Sequence, residues 1–397
     1  MKWNLVPLGT VCTVSSSKRI FAKEYRAEGI PFYRGKEVIE KHKGNPVSTE
    51  LFISKERYEE IRSKYDVPRI GDILLTSVGT LGVPWLVDET DFYFKDGNLT
   101  WLRAKDGLLN KFLYLWLNSD DAKHQIDMMC IGSTQKALTI ETINKFLIPL
   151  PSMKEQERIC AIIFPIMERI KTNRSINDNL QQQAYAYFLR LFVENADPSW
   201  RVGTIADLGT VVGGGTPSKA KPEYYTEDGI AWITPKDLSV DKSKFIAHGE
   251  NDISELGFQN SSTTMMPAGT VLFSSRAPIG YIAIASNEVT TNQGFKSVVP
   301  HPEIGTPFIY YFLIHNLPLV ESKASGSTFK EVSASVMKSV EAVIPDGDSI
   351  VKFNDFCRPV FEMQEKLEQE NRKLAAMRDS LLPRLMSGEI DVAGIDI

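Results

Sequence analysis

This sequence has little of what metal, redox or membrane chemistry requires. Its four cysteines, Cys12, Cys130, Cys160 and Cys357, form no C-x-x-C pair, and its five histidines are scattered. That spacing argues against a disulfide framework and a structural zinc site. The longest nearly unbroken apolar stretch, around Ile159 to Met167, is interrupted by Pro165. It falls far short of the ~20 residues a bilayer demands, so no membrane span is expected. The start, Met1-Lys2-Trp3-Asn4-Leu5-Val6-Pro7, has no apolar run leading to a small-residue cleavage site. No secretory signal is read there, and a cytoplasmic location is expected. An excess of positive charge is also missing, since 45 Lys and Arg stand against 50 Asp and Glu, a net charge of -5. Net charge averages over all faces, so this excludes only a generally basic, sticky protein.

Catalytic motifs are lacking as well. The cluster Val212-Gly213-Gly214-Gly215-Thr216-Pro217-Ser218-Lys219 departs from the G-x-x-x-x-G-K-[ST] order. Its Pro217 also removes an amide that a phosphate would need. Leu272-Phe273-Ser274-Ser275-Arg276-Ala277 is not a G-x-S-x-G nucleophile elbow. The pairs Glu59-Glu60 and Asp120-Asp121 read as solvated surface, and Asn45-Pro46-Val47 is a turn rather than the N-P-P-[YF] of an amino-methyltransferase. No catalytic residue, metal site or cofactor is assigned to this chain.

What is present is a folded chain that repeats itself. At 397 residues, with 43% hydrophobic and 10% aromatic residues, it is too apolar for disorder and long enough for two domains. Trp3 to Leu8-Gly9-Thr10-Val11 recurs as Trp200 to Leu208-Gly209-Thr210-Val211. Pro68-Arg69-Ile70-Gly71-Asp72-Ile73-Leu74 recurs as Pro267-Ala268-Gly269-Thr270-Val271-Leu272-Phe273, and Gly132-Ser133-Thr134-Gln135-Lys136 as Gly326-Ser327-Thr328-Phe329-Lys330. The matches keep their order and lie roughly 194 to 200 residues apart, so the chain reads as two copies of one unit. Short β-rich runs between Gly, Pro and Ser turns predict a mixed α/β globule in each copy.

Each globule is followed by a long amphipathic helix. Ile159, Ile163, Ile166, Ile170, Asn173, Asn177, Leu180, Ala184, Tyr187 and Leu191 recur at spacings of three and four. The second stripe carries Phe353, Phe356, Val360, Met363, Leu367, Leu374, Met377 and Leu381. About 40 helical residues extend roughly 60 Å. Such a helix must bury its apolar stripe, and pairing the two as an internal coiled coil does so. A pseudo-twofold relation between copies predicts that they run antiparallel, with the globules at opposite ends. Ile163, Ile166, Ile170, Leu180, Val360, Leu367, Leu374 and Leu381 are the expected packing residues. Pro165 and Pro359 either bend the helices or mark their first turns, and Asn173, Asn177 and Asn371 either fix the register or face solvent.

The remaining feature is a recurring set of polar, basic loops. Copy one has Lys18, Arg19, Arg34 and Lys36 among aromatics, Ser77 and Thr80 after a strand, and Ser133, Thr134, Gln135 and Lys136 in the Gly-Ser-Thr loop. Copy two has Lys219, Lys221 and Lys236, then Ser275 and Arg276, then Ser327, Thr328 and Lys330. Arginine can read guanine bidentately, while lysine and hydroxyl side chains position phosphates. The Gly-Ser-Thr loops can equally serve as turns or helix caps. A solvated mixed-charge surface is the plain alternative, because acidic neighbours such as Glu24, Glu28, Glu37 and Glu40 interleave with the bases.

Taken together, the paired Leu-Gly-Thr-Val starts, the two Gly-Ser-Thr-x-Lys loops and the helix start Phe146-Leu147-Ile148-Pro149-Leu150-Pro151-Ser152-Met153-Lys154-Glu155-Gln156-Glu157-Arg158-Ile159 resemble the specificity subunits of Type I restriction-modification systems. The ending Leu374-Ala375-Ala376-Met377-Arg378-Asp379-Ser380-Leu381-Leu382-Pro383-Arg384-Leu385-Met386-Ser387-Gly388-Glu389-Ile390 resembles theirs too. The resemblance implies an α/β protein with target recognition domains over 1–151 and 195–348, spacer helices over 152–194 and 349–388, and a tail over 389–397. It implies a non-catalytic subunit whose domains each read one half of a bipartite sequence in double-stranded DNA. The helices would act as a ruler between half-sites and as a dock for two methyltransferase subunits, with restriction and translocase subunits joining the complex. S-adenosylmethionine, ATP and Mg2+ would belong to those partners. Gln135 answers Phe329 and no base answers Arg276 in copy one, so two different half-sites are expected. The second helix start, Ile344-Pro345-Asp346-Gly347-Asp348-Ser349-Ile350, lacks the Leu-Pro and Glu-Gln-Glu pattern of the first, so docking there carries over less well. The alternative is a two-lobed protein-interaction scaffold with no DNA specificity.

Overall fold

In each copy the strand that begins the repeat pairs with the strand that ends it. Asn4–Pro7 lies antiparallel to Leu147–Leu150, and Arg201–Thr204 lies antiparallel to Glu341–Ile344. The long helices leave directly from those closing strands. The computed structural model describes residues 3–88, 91–130, 136–326 and 330–394. The chain divides into two units, Met1–Lys171 with Lys373–Ile397, and Thr172–Arg372.

The first unit is built on an antiparallel sheet in the order Cys12–Ser15, Leu99–Ala104, Ile73–Thr76, Pro84–Leu86. The second has the same four-strand arrangement, Gly209–Gly213, Lys296–Pro300, Val271–Ser275, Ile279–Ala285, with Phe245–Ile246 added in parallel at the edge. Central strands such as Ile73–Thr76 and Val271–Ser275 are buried along their whole length, as an apolar run between turn residues requires. An apolar helix covers each sheet: Asn110–Leu117 in the first unit and Thr306–His315, with Pro307 in its first turn, in the second.

Two helices dominate the chain, Met153–Leu189, followed by a π-helical turn Arg190–Glu194, and Gly347–Met386. Each contributes to both units. In the second unit their pairing is antiparallel: Asn173 meets Asn371, Asn177 meets Gln364, and Tyr187 meets Phe353 and Phe356. Their ends are part of the globular cores. Ile159, Cys160 and Ile163 join Leu385, Met386 and the helix Asn110–Leu117 in one. Phe188, Phe192, Phe353 and Phe361 join Phe308 and Tyr311 in the other.

Of the expected packing residues, Ile163, Ile170 and Leu367 are buried and Ile166, Leu180, Val360, Leu374 and Leu381 are half-buried. Two members of the second stripe fall outside the seam, Met363 and Met377 at 49% and 51% exposed, and Phe356 sits at its margin, 39% exposed while in contact with Tyr187. Cys357, Phe361 and Gln364 are the buried positions instead, because the seam runs one residue further round the helix. The prolines mark no first turn, since Pro165 and Pro359 both lie inside their helices. Asn173 is fully buried, and Asn177 and Asn371 half-buried, so the asparagines belong to the seam rather than to solvent. Among the described residues no helix is long and apolar enough to cross a membrane.

Candidate nucleic-acid interface

The sheet register brings the polar loops to one end of each unit. In the first, Ser15 pairs with Trp101, Thr76 with Leu99 and Leu75 with Pro84. The segments after Ser15, after Thr76 and before Leu99 therefore emerge together. In the second, Gly213 pairs with Lys296 and Ser275 with Ile279, which gathers the equivalent segments. The described residues that follow the two Gly-Ser-Thr stretches come to the same end, because Val78 bridges to Ala137 and Arg276 to Glu331. Matching backbone bonds secure both returns: Leu138 N donates to Ser77 O at 2.9 Å, and Val332 N to Ser275 O at 3.0 Å.

In the second unit the segments after Gly213, after Ser275 and before Lys296 border a cleft of about 500 Å3, bounded by Lys219, Trp232, Lys236, Asn251, Arg276 and Gln293. Thr234 caps the helix Pro235–Val240 and so places Lys236 in its exposed first turn, where it pairs with Glu250. Glu331 lies 3.7 Å from the Arg276 guanidinium and 3.5 Å from Lys296 Nζ. The glycine cluster is a packing device. A Cβ on Gly214 would collide with the carbonyl oxygens of Thr291 and Asn292, and one on Gly215 with the Ser262–Thr263 backbone.

The first unit has a smaller cleft of about 300 Å3, lined by Ser16, Lys18, Tyr65, Trp101 and Arg103 among others. Lys18 Nζ sits 4.2 Å from the Tyr65 ring centre. Asp72 is buried beneath it, accepting from Trp101 Nε1 at 2.9 Å and from the Arg103 guanidinium at 2.8 Å. Holding Arg103 in place is a structural task for that carboxylate, with Asp66 as a second partner.

The remaining nominated residues divide clearly. Arg19 is exposed and paired with Asp96 at 2.8 Å. Lys36, Thr80, Lys136, Lys219, Lys221 and Lys330 are exposed. Arg34 is half-buried beside the fully buried Glu37 at 3.1 Å, whose other oxygen caps the helix Gly35–Lys43. Its guanidinium thus braces a helix start. Ser77 and Ser275 are corrections, for neither hydroxyl can face a ligand. Ser77 Oγ is buried against Thr100 Oγ1 at 2.6 Å, and Ser275 Oγ donates to Gly294 O at 3.0 Å. Ser133, Thr134, Gln135, Ser327 and Thr328 lie outside the described residues.

Sequence reasoning missed Asn251, Asn292, Gln293, Lys296 and Arg103, all lining or adjoining the clefts. The signal was available in the duplication. Ser77 N donates to Asn98 O and Ser275 N to Gly294 O, so the turn before each of these strands occupies the same place.

Two related loop sets, closed by the same strand pairing and differing in charge, are the geometry of a duplicated recognition module. A family model described as the Type I restriction modification DNA specificity domain matches residues 1–182 and 198–356. The chain belongs to that family. It is 37% identical over 177 residues to the Type I restriction enzyme MjaIX specificity subunit of Methanocaldococcus jannaschii, an alignment covering 44% of this chain and 41% of that protein. It is 24% identical over 361 residues to the HindI specificity subunit of Haemophilus influenzae, covering 71% of this chain and 78% of the relative. The chain thus spans about two fifths of the first relative's length and more than three quarters of the second's. The fold matches the crystal structure of the Type I system S subunit from M. genitalium with a TM-score of 0.65, at 17% identity, over 97% of this chain and 96% of that one.

Proposed function

We propose that this chain is a non-catalytic DNA-recognition subunit that reads two different half-sites of a bipartite, asymmetric duplex sequence and positions adenine methyltransferase and restriction subunits on it. Residues 1–151 and 195–348 are the proposed recognition domains, 152–194 and 349–388 the spacer helices, and 389–397 a tail. Two methyltransferase subunits dock on the helices, the complex is cytoplasmic, and S-adenosylmethionine, ATP and Mg2+ are bound by partners and not by this chain.

One observation carries the reading. The two units present equivalent loops with different chemistry: Val78 opposite Ala137 in one, and Arg276 opposite Glu331 in the other. A device that must tell two half-sites apart needs the same scaffold with different side chains at its tip, whereas equal half-sites would need no such difference. The proposed contacts in the first unit are Lys18, Arg19, Lys36, Thr80 and Lys136, with Arg34 bracing its helix. In the second they are Lys219, Lys221, Lys236, Arg276 and Lys330. The loop residues Ser133, Thr134, Gln135, Ser327 and Thr328 complete the proposed set.

The test is co-purification with the methyltransferase subunit followed by mapping of methylated adenines. Two defined half-sites with a fixed spacer are expected. A complex that assembles but methylates no sequence selectively overturns the proposal. Exchanging residues 1–151 for those of a relative should alter one half-site and leave the other.

A further inference from the structure

The turn Thr291–Gly294, just ahead of strand Lys296–Pro300, is held more firmly than an exposed turn needs to be. Asn292 N donates to Ile233 O at 3.0 Å, Gly215 N to Thr291 O at 2.9 Å, and Ser275 N to Gly294 O at 2.7 Å. Asn292 Oδ1 accepts from Gly294 N at 2.8 Å, which closes the turn on itself. Lys296, with only 13% of its side chain exposed, adds a bond from Nζ to Gln293 O at 3.2 Å. The backbone of Gln293 is therefore fixed from three neighbouring segments, while its side chain projects into the cleft. Thr216 Oγ1 donates to Gln293 Oε1 and orients the terminal amide. Among the described residues neither Gln293 Nε2 nor Asn292 Nδ2 donates a hydrogen bond within the chain.

We infer that Gln293 is a specificity-determining residue of the second unit, reading the major-groove edge of an adenine. An immobile backbone, an amide with both protons unused and a second lone pair on Oε1 supply the donor and acceptor that adenine N7 and N6 require. Arg276, which lines the same cleft and follows the Ser275 amide bonded to this turn, can take a neighbouring base or phosphate. The first unit carries different chemistry here. Aligned through the Ser77 and Ser275 amide bonds, Asp96 stands where Asn292 does and Gly97 where Gln293 does, and Asp96 is paired with Arg19. The adenine reading belongs to one half-site only.

This inference rests on the proposed recognition function and is tested so that the two can fail separately. The assembled complex with its methyltransferase is given duplexes in which every base pair of the wild-type site is replaced singly, and initial methylation rates are compared. For Gln293→Ala, discrimination at one A·T pair of a single half-site should fall by about 10- to 100-fold, with other positions unchanged. Gln293→Glu, which replaces the donor by an acceptor, should shift preference at that pair towards cytosine, whose N4 donates. Rates that fall equally on all duplexes, or base preferences identical to wild type, overturn the inference. Because Gln293 is exposed, folding is not at stake, and Gln293→Asn supplies a conservative control. A wild-type complex that methylates no sequence selectively instead removes the parent reading before any variant is compared.

Discussion

The ammonium of Lys244 lies 3.4 Å from the centre of the Phe361 ring, inside the second unit. It is only 7% exposed, with Tyr310 and Tyr311 as further ring neighbours and Gln181 Oε1, Tyr311 OH and Gln364 Oε1 as acceptors. Glu368 accepts from the backbone amides of Lys244 and Phe245 at 2.8 and 3.0 Å. One lysine thus joins the sheet edge to both long helices. A loose joint here would blur where the recognition loops point, so the contact connects packing to function.

Burial pushes the Lys244 ammonium well below the usual lysine value of 10.5. A lysine lowered in the folded state is protonated more readily when unfolded, so stability rises with pH between its folded value and 10.5. Wild type should gain stability relative to Lys244→Met as the pH is raised towards 10.5, in urea melts run side by side. Parallel pH dependences for the two proteins would contradict this. Lys244→Ala should cost about 2–4 kcal/mol, as a large-to-small change that opens a cavity. Lys244→Met, which opens no comparable cavity but leaves Gln181 Oε1 and Gln364 Oε1 without this donor, should cost less than Lys244→Ala.

The cysteines should separate cleanly by reactivity. Cys12, Cys160 and Cys357 are buried, and burial pushes each thiol up to about 12, so almost no thiolate exists near neutral pH. Cys130 is half-buried. Maleimide at pH 7.5 should add once to the native protein, at Cys130, and four times after unfolding in urea. A second adduct on the native chain, found by peptide mapping, would count against this packing.

The seam asparagines should behave as a polar layer that trades stability for register. Asn173 Nδ2 donates to Asn371 Oδ1 at 3.0 Å and to Glu370 Oε2 at 3.1 Å, while Asn173 Oδ1 is buried without a partner among the described residues. Asn173→Ala should cost about 1–3 kcal/mol, because it removes a fully buried side chain and takes the Asn173 donor away from the half-buried Asn371 Oδ1. Replacing Asn173 and Asn371 together by leucine should raise the urea midpoint above wild type, because it removes both partners of the bond and with them the unpaired Asn173 Oδ1. A double variant less stable than Asn173→Ala would rule out this account.

The duplication was legible because the same unit is built twice, with the same strands closing it. The seam was half legible. Hydrophobic letters gave Ile163, Ile170 and Leu367 correctly, but Met363 and Met377 look as apolar as Phe361, and only the partner helix decides which stripe is covered. Gln364, 2% exposed, carried no sign of burial in its own chemistry. Lys244 was hidden for the same reason, since Asp241-Lys242-Ser243-Lys244 reads as a surface charge run until the helices are packed on it. In the clefts, lysines and Arg276 stood out by type. Ser77 and Ser275 were misjudged because strand register, which the sequence leaves open, turns those hydroxyls inward. Asn292 and Gln293 carry no charge and lie outside the repeated Gly-Ser-Thr motif, so nothing in their own chemistry sets them apart in the sequence.

Glu331 offers the sharpest electrostatic test of the second cleft. Its carboxylate pairs with Arg276 at 3.7 Å and Lys296 at 3.5 Å, while its counterpart in the first unit is Ala137, which has no charge. A carboxylate beside a nucleic-acid surface repels phosphate, yet it also holds the arginine in one orientation. Glu331→Gln removes the repulsion and loosens the arginine, so affinity and selectivity should move in opposite directions. In the assembled complex, binding of duplexes lacking the site should tighten, and the slope of log affinity against log salt should steepen by up to about 1, the effect of one further phosphate contact. Discrimination at the position proposed for Arg276 should weaken. Anisotropy titrations of labelled duplexes across a salt series measure both quantities. Weaker binding to every duplex would mean that Glu331 serves chiefly to build the cleft and not to restrain Arg276.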